Sequence, residues 1–136
     1  MRLLAVSIST LSLLCACSMS GDTAVAEQAV PKFHEFLDAG RFAEIYEGAS
    51  ADLKNAGSQG DFVALLDAVH RKLGMVKSSE KQGWNVNYDT SGTFVTLTYK
   101  TTYAEGEAGE QFVYRIKGSA AALAGYHINS MALIVK

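Results

Sequence analysis

The chain has 136 residues, of which 49% are hydrophobic and 19% are charged, and this composition indicates one folded domain rather than a disordered protein. Its formal net charge is −2, and its basic residues stand singly apart from the pair Arg71-Lys72. Because binding to nucleic acid needs clustered positive charge that neutralises several phosphates together, we expect no nucleic-acid partner.

Residues 1–16 have the layout of a secretory signal. Arg2 supplies a positive start, and the apolar run from Leu3 to Leu14 is well short of the ~20 residues that a helix needs to cross a bilayer. We therefore predict a cleaved export signal rather than a membrane span. Cleavage removes Arg2 and no acidic residue, which leaves 11 basic residues against 14 acidic ones and a net charge of −3.

The apolar run ends in Leu14-Cys15-Ala16-Cys17, which resembles the lipobox of bacterial lipoproteins. In that motif a leucine lies three residues before the lipidated cysteine, and small residues lie between the two. Aligning the motif on Cys15 would put Ser12 at the leucine position and Leu14 at a small-residue position. The resemblance therefore implies cleavage before Cys17, attachment of lipid to its sulfur, and a mature protein without a free thiol.

The residue after the predicted lipid bears on the membrane to which the protein is sorted. Ser18 occupies the place where an aspartate retains Gram-negative lipoproteins in the inner membrane. The resemblance thus implies the cell envelope, and the periplasmic face of the outer membrane if the envelope is Gram-negative. Residues 17–21 would form a short tether that keeps the domain near the bilayer. The alternative is a secreted protein without lipid, cut near the same place.

A helical period runs through the first half of the predicted domain, residues 22–136. The first helix is expected from Asp22 to Ala39-Gly40, with Pro31 either kinking it or starting a new segment. A short helix is expected from 41 to 48, followed by another helical turn at 50–54. The clearest helix follows a candidate N-cap at Ser58. Its core-facing stripe is Phe62, Leu65, Leu66, Val69 and Leu73.

After Gly74 the apolar period changes to two, which predicts strands. Two long antiparallel strands are expected at 84–88 and 95–103. A polar loop from Glu105 to Glu110 then leads to a third strand at 112–116, and a fourth runs from Leu123 to Val135. The sequence thus predicts an α+β domain in which three N-terminal helices pack on a curved, four-stranded antiparallel sheet.

This element order resembles the nuclear-transport-factor-2-like superfamily, also called the cystatin-like cone. Relatives commonly carry an aromatic residue early in the last strand, where this chain has Ala121-Ala122. The resemblance implies a pocket between sheet and helices, which some relatives use for isomerisation or dehydration, although a fold does not by itself assign an activity. Four segments resemble small uncharacterised bacterial lipoproteins of that superfamily: Ala39-Gly40-Arg41-Phe42, Ala49-Ser50, Leu73-Gly74-Met75-Val76 and Ala124-Gly125-Tyr126-His127-Ile128.

The histidines and carboxylates form no evident catalytic or metal-binding set. His34, His70 and His127 have no second histidine or carboxylate at ligand spacing on the same element, so we expect no metal and no cofactor. His34 and His70 are expected at the boundary of their helices' apolar faces. The glutamates of the 105–110 loop lack the spacing of a calcium site and are expected at a solvated hairpin tip.

Aromatic residues of the predicted sheet are the main candidates for contact with a ligand or partner, because Tyr and Trp combine an apolar body with a polar group. Ordinary packing within the sheet is the alternative for each of them. Tyr126 and His127 must point to opposite faces of the last strand, and the sequence leaves open which face is concave. The candidate contacts are Trp84, Tyr99, Tyr114, Tyr126 and His127.

These observations lead to a non-catalytic envelope lipoprotein, held at the membrane by its N-terminal lipid, whose domain binds a small apolar ligand or an envelope protein. Two alternatives stay open. One is an enzyme of the isomerase or dehydratase type that uses the cone pocket, with His127 or Asp89 as the base. The other is a homodimeric scaffold that associates through the exposed face of the sheet.

Overall fold

The computed structural model describes residues 17–135, with side chains from residue 21 onward. Helices α1 (Cys17–Asp38), α2 (Phe42–Glu47), α3 (Ala51–Ala56) and α4 (Gln59–Leu73) precede the sheet. Strands β1 (Val76–Asp89), β2 (Gly92–Tyr103), β3 (Gly106–Lys117) and β4 (Ala120–Asn129) form it, and the short helix α5 (Met131–Val135) follows. The predicted α+β class, with helices ahead of a four-stranded antiparallel sheet, is confirmed.

Two sequence predictions lie outside the described residues. These are the export signal of residues 1–16 and the state of the Cys17 side chain. Within residues 17–135, no helix is both long enough and apolar enough to cross a membrane.

The sheet is an open meander in which each strand pairs with the next one along the chain. β1 and β4 are its edges. The pairing of β1 with β2 shifts register between Val76 and Ser78 and again between Lys81 and Gly83. Such irregularities and exposed lysines are common on edge strands, where they limit unwanted pairing with other chains.

The core lies between one face of the sheet and the helices α1 and α4. Alternate side chains of β2 and β3 are buried on this face, as the period of two requires. α1 brings Phe33 onto it, and the Phe33 ring lies 5.1 Å from the ring of Phe112 and 4.7 Å from that of Tyr126. Side chains therefore fill the space between α1 and the middle of the sheet.

α1 runs antiparallel to β1 along this covered face. Three contacts at increasing distance from the start of the helix establish the direction. The hydroxyl of Tyr88 donates to Asp22 over 3.4 Å, Lys81 forms an ion pair with Glu27, and Asp38 accepts a 3.0 Å hydrogen bond from the backbone N–H of Val76. The first turns of α1 therefore lie beside the β1–β2 hairpin, and its last turn lies beside the start of β1.

α1 differs from its prediction at its start, and at Pro31 it excludes one of the two alternatives that the sequence left open. It begins at Cys17 rather than at Asp22, so the expected tether of residues 17–21 is helical. It also continues through Pro31 without the restart that the sequence left open. Pro31 removes one backbone hydrogen bond, but Val30 and Phe33 on either side are buried in the core. Tertiary packing therefore holds the helix together across the proline.

α4 forms where its local signals predict it. The hydroxyl of Ser58 accepts a 3.1 Å hydrogen bond from the backbone N–H of Asp61, which is the expected N-cap contact. Leu66, Val69 and Leu73 are fully buried. Leu65 is 39% exposed, so the buried stripe is narrower than the apolar pattern suggests.

The prediction was wrong about where the third strand begins and where the fourth strand ends. The predicted loop of residues 105–110 belongs mostly to β3, because the strand already begins at Gly106, which pairs with Tyr103 of β2. Its glycines and glutamates have low strand propensity, and pairing with β2 overrides that propensity. The predicted fourth strand ends at Asn129 rather than Val135, and the residues after Ser130 form α5, which packs against α4 and β3.

Candidate functional site

A carboxylate lies buried beneath α1. Glu110 on β3 is 1% exposed. His34 Nε2 lies 2.9 Å from one carboxylate oxygen, while the hydroxyls of Tyr103 and Tyr126 donate to the other oxygen over 3.0 and 2.6 Å. The buried Thr101 also lowers the pKa of Glu110. Glu110, His34, Thr101, Tyr103 and Tyr126 are called the Glu110 cluster below.

Three strands and one helix supply the Glu110 cluster. Period two in β3 puts Glu110 on the same face as the buried Phe112 and Tyr114. The neighbouring strands β2 and β4 turn their tyrosines towards the same face. His34 follows Phe33 in α1, 76 positions away from Glu110 in the chain. The cluster therefore exists only when α1 is packed on the sheet.

The surroundings of Glu110 keep it ionised. Burial is the largest single influence and by itself raises the pKa of a carboxyl group. Hydrogen bonding and attraction from His34, together with bonds from Thr101 and Tyr126, outweigh burial and lower the pKa of Glu110 below its usual value. Burial and the nearby Glu110 raise the pKa of both Tyr103 and Tyr126. An ionised carboxylate thus accepts hydrogen bonds from neutral tyrosines.

A groove of about 520 Å³ opens beside the cluster, between α1 and the first two strands. His34 and Ser79 line this groove and also bond into the cluster. His34 reaches Glu110 directly, and the Ser79 hydroxyl lies 2.8 Å from that of Thr101. A molecule in the groove would therefore touch side chains one or two hydrogen bonds away from the buried carboxylate. The lining residues are Glu27, Val30, Pro31, His34, Glu35, Asp38, Val76, Ser79 and Tyr99.

The walls of this groove carry an excess of negative charge. Three carboxylates line it, those of Glu27, Glu35 and Asp38, whereas the lining includes no lysine or arginine. Lys81 neutralises Glu27 from the rim. Pro31 has no N–H to donate to the backbone carbonyl of Glu27, so this side of the helix offers one more hydrogen-bond acceptor. The groove therefore favours a ligand with positive charge and hydrogen-bond donors.

A second depression, of about 460 Å³, lies at the other end of the sheet. Ala121 and Ala122 line it, at the place where related lipoproteins were expected to carry an aromatic residue. Its charged pair is already satisfied, because the Arg115 guanidinium binds both carboxylate oxygens of Asp52 at 2.7 and 2.8 Å. These bonds, with one from Ser50, lower the pKa of Asp52. The pair of Arg115 and Asp52 links α3 to β3, and its charged groups are used in that structural contact.

All four candidate aromatic residues lie on the helix-facing side of the sheet, and three of them are buried there. Tyr126 belongs to the Glu110 cluster, and Tyr99 lines the groove. Tyr114 is 3% exposed, and its buried hydroxyl has no hydrogen-bond partner among the described residues. Trp84 is 54% exposed on the edge strand β1. His127 is exposed on the opposite face of β4 from Tyr126, which answers the question that the strand pattern left open.

Neither residue considered as a catalytic base reaches the groove. His127 lies on the outer face of the sheet. Asp89 lies in the β1–β2 turn, where its carboxylate accepts hydrogen bonds from the backbone N–H groups of Ser91 and Gly92 at 2.7 and 3.1 Å. The outer face of the sheet carries exposed polar residues such as Thr98 and Gln111.

Two residues of the Glu110 cluster lie in surroundings that the sequence did not predict. His34, expected at the boundary of its helix's apolar face, is 6% exposed, and Glu110, expected at a solvated hairpin tip, is buried. Extending the alternation of Phe112 back by two residues would have placed Glu110 on the inner face. Nothing local indicated that His34 would meet it. Within residues 21–135, no three histidine, cysteine or acidic side chains are grouped to hold a metal ion.

Two buried tyrosines, Tyr114 and Tyr126, give a matched test of the Glu110 cluster, because only the hydroxyl of Tyr126 has a hydrogen-bond partner. Tyr126→Phe removes a hydrogen bond to an ionised, buried acceptor and should lower the free energy of unfolding by about 1.5–3 kcal/mol. Tyr114→Phe removes a hydroxyl without a partner and should leave stability unchanged or raise it by up to about 1 kcal/mol. Urea unfolding at neutral pH measures both. Equal destabilisation by the two changes would contradict the assignment.

The lowered pKa of Glu110 predicts a specific loss of stability in acid. Because the folded protein holds fewer protons at this site than the unfolded chain, the stabilisation from Glu110 is complete above the unfolded pKa of about 4.3 and is lost as pH falls through the lower, folded pKa. Glu110→Gln removes this pH-dependent stabilisation, because glutamine does not titrate. Thermal melts between about pH 6 and 3 should show a steeper fall for wild type than for the variant. Asp52 titrates in both proteins, and parallel curves would refute the role of Glu110.

Residues 29–126 match the family described as "Protein of unknown function (DUF4019)". No curated protein matches the chain. The matched span covers more than two thirds of the chain and contains all five residues of the Glu110 cluster. The chain therefore belongs to the DUF4019 family.

Proposed function

We propose that this chain is a non-catalytic envelope lipoprotein whose domain binds a small ligand in the groove between α1 and β1. The observation that carries the proposal is the connection between the groove and the cluster: His34 and Ser79 line the groove and bond into the buried site of Glu110. Buried polar groups that reach a groove are a common feature of ligand sites, because they fix the orientation of what binds.

The ligand class that we propose is a small cation with an apolar part. Glu35 and Asp38 leave negative charge on the walls that Lys81 does not neutralise and so favour a cation, while Pro31 and Val76 offer apolar surface. The sequence had led to an apolar ligand held between sheet and helices. What supports a cationic ligand instead is that Phe33 and Phe112 already pack together in that space, while the open groove is acidic.

We also propose a location and a finer classification. The Leu14-Cys15-Ala16-Cys17 motif supports attachment of lipid at Cys17 and, in a Gram-negative envelope, the periplasmic face of the outer membrane. The order of helices followed by four antiparallel strands supports the nuclear-transport-factor-2-like superfamily. A protein partner of the envelope stays an alternative occupant of the groove.

The location is tested by mutating the two cysteines separately. Cys17→Ser should abolish acylation, whereas Cys15→Ser should leave it unchanged, because Cys15 departs with the signal. Intact-mass analysis of membrane extracts and cell fractionation measure both outcomes. Wild-type protein that is unmodified and free in the soluble fraction would overturn the anchoring proposal.

The ligand class is tested with two probes of the same size and different charge. Benzylamine should bind the detergent-solubilised lipoprotein and shift the NMR signals of Tyr99 and Ser79, while the neutral benzyl alcohol should bind more weakly. Glu35→Gln should weaken benzylamine binding by roughly two- to five-fold, since a partly exposed charge pair contributes modestly.

The control for this experiment is Glu47→Gln, which removes an exposed carboxylate on α2 that does not line the groove. It should bind benzylamine as wild type does. Equal affinity for the two probes, or shifts confined to residues outside the groove, would overturn the proposed ligand class.

A second candidate function is acid–base catalysis in the same groove. The observation that favours it is His34 itself, because a histidine oriented by a buried carboxylate and open to a groove is the arrangement used by general bases. Nε2 faces Glu110, which leaves Nδ1 as the catalytic nitrogen. Deuterium uptake from D2O into a bound carbonyl compound by wild type, but not by His34→Gln, would favour catalysis over simple binding.

A further inference from the structure

Trp84 and Tyr88 form an exposed aromatic pair on the edge strand β1. Their exposed fractions are 54% and 51%. Both lie on the helix-facing side of the sheet, since Trp84 is opposite the fully buried Leu97 in β2 and Tyr88 is four residues further along the strand. They stay exposed because β1 is the edge of the sheet. Two large aromatic side chains left in water on one strand indicate a contact that the isolated domain does not make.

The aromatic pair lies beside the first turns of α1. Tyr88 donates to Asp22, and Lys81, just before Trp84, pairs with Glu27. α1 begins at Cys17, so Asp22 is about 8 Å along the helix from the residue expected to carry lipid, at 1.5 Å per residue. The pair is therefore at the end of the domain that a lipid on Cys17 would hold against the bilayer.

We infer that Trp84 and Tyr88 rest in the interfacial layer of the membrane and fix the orientation of the domain on it. Trp and Tyr favour this layer, because their apolar rings leave water while their polar groups stay hydrated. The inference rests on the proposed anchoring at Cys17. The charged groups on this side are Asp22, which accepts the Tyr88 hydroxyl, and the ion pair of Lys81 with Glu27. Because they carry no excess of positive charge, the surface suits zwitterionic rather than anionic lipid.

This orientation has a consequence for the groove. His34 and Asp38 lie near the other end of α1, so His34 is about 25 Å along the helix from Cys17 at 1.5 Å per residue. With the aromatic pair on the bilayer, that end of the groove faces away from the membrane. A ligand could then enter from the aqueous side while the lipid holds the opposite end of the domain.

Trp84 is the only tryptophan of the chain, so its fluorescence reports this contact without interference. The lipidated protein, verified by intact mass and by flotation, is reconstituted in phosphatidylcholine vesicles. We expect a blue-shifted emission compared with unlipidated Cys17→Ser protein in solution. We also expect quenching that grows with the fraction of lipids brominated on their acyl chains.

A matched control moves the tryptophan to the opposite end of the domain. Met131 on α5 is 71% exposed, and α5 packs near the start of β3, away from the first turns of α1. In the double variant Trp84→Phe, Met131→Trp, emission should stay red-shifted and unquenched on the same vesicles. Quenching of both tryptophans would mean that the domain has no fixed orientation, and it would overturn the inference.

The remaining outcomes separate the inference from the proposal on which it rests. Protein that carries lipid and floats with the vesicles, but whose Trp84 is neither shifted nor quenched, overturns the inference and leaves the anchor intact. A blue shift without bromine quenching indicates that another protein surface, such as a second copy, covers the pair, and also overturns it. Absence of lipid by mass overturns the anchor itself.

Discussion

The rest of the structure depends on an ionised carboxylate held in the core. Glu110 is buried where an unpaired charge would cost several kcal/mol, so each of its partners is required in place. Those partners come from α1, β2 and β4, with His34 the only one on a helix. The cluster therefore fixes the position of α1 along the sheet more narrowly than the apolar contacts of Phe33 alone could, because hydrogen bonds depend on direction and dispersion contacts do not.

The groove follows from the same arrangement. α1 is held against the sheet at His34, yet it leaves the first strands partly uncovered on one side, where Ser79 and the edge of the buried Tyr99 line the groove. Pro31 lies in this uncovered stretch and is tolerated because Val30 and Phe33 pack on the core around it. A single helix thus closes the core, supplies a polar side chain to it and forms one wall of an acidic opening. His34 both contacts the buried Glu110 and lines the groove, so changes at His34 alter the core and the groove together.

The family match covers the part of the chain that builds this arrangement. It spans residues 29–126, from the middle of α1 to Tyr126 on β4. The cysteine expected to carry lipid and the first turns of α1 lie before it, and α5 lies after it. The Glu110 cluster lies wholly within the matched span, as do Trp84 and Tyr88 and most of the groove lining, whereas Cys17 and the groove residue Glu27 lie before it.

The sequence by itself determined the features that local chemistry encodes. The hydroxyl of Ser58 and the apolar spacing after it placed α4, and the alternation along β2 placed that strand, because caps and periods act over a few residues. Tertiary structure decided which face of each element is covered. It buried Glu110 by pairing β3 with β2 in spite of weak strand propensity, and it brought His34 to Glu110 across 76 positions. No local pattern records such a pairing, because its free energy exists only after the helix and the sheet have met.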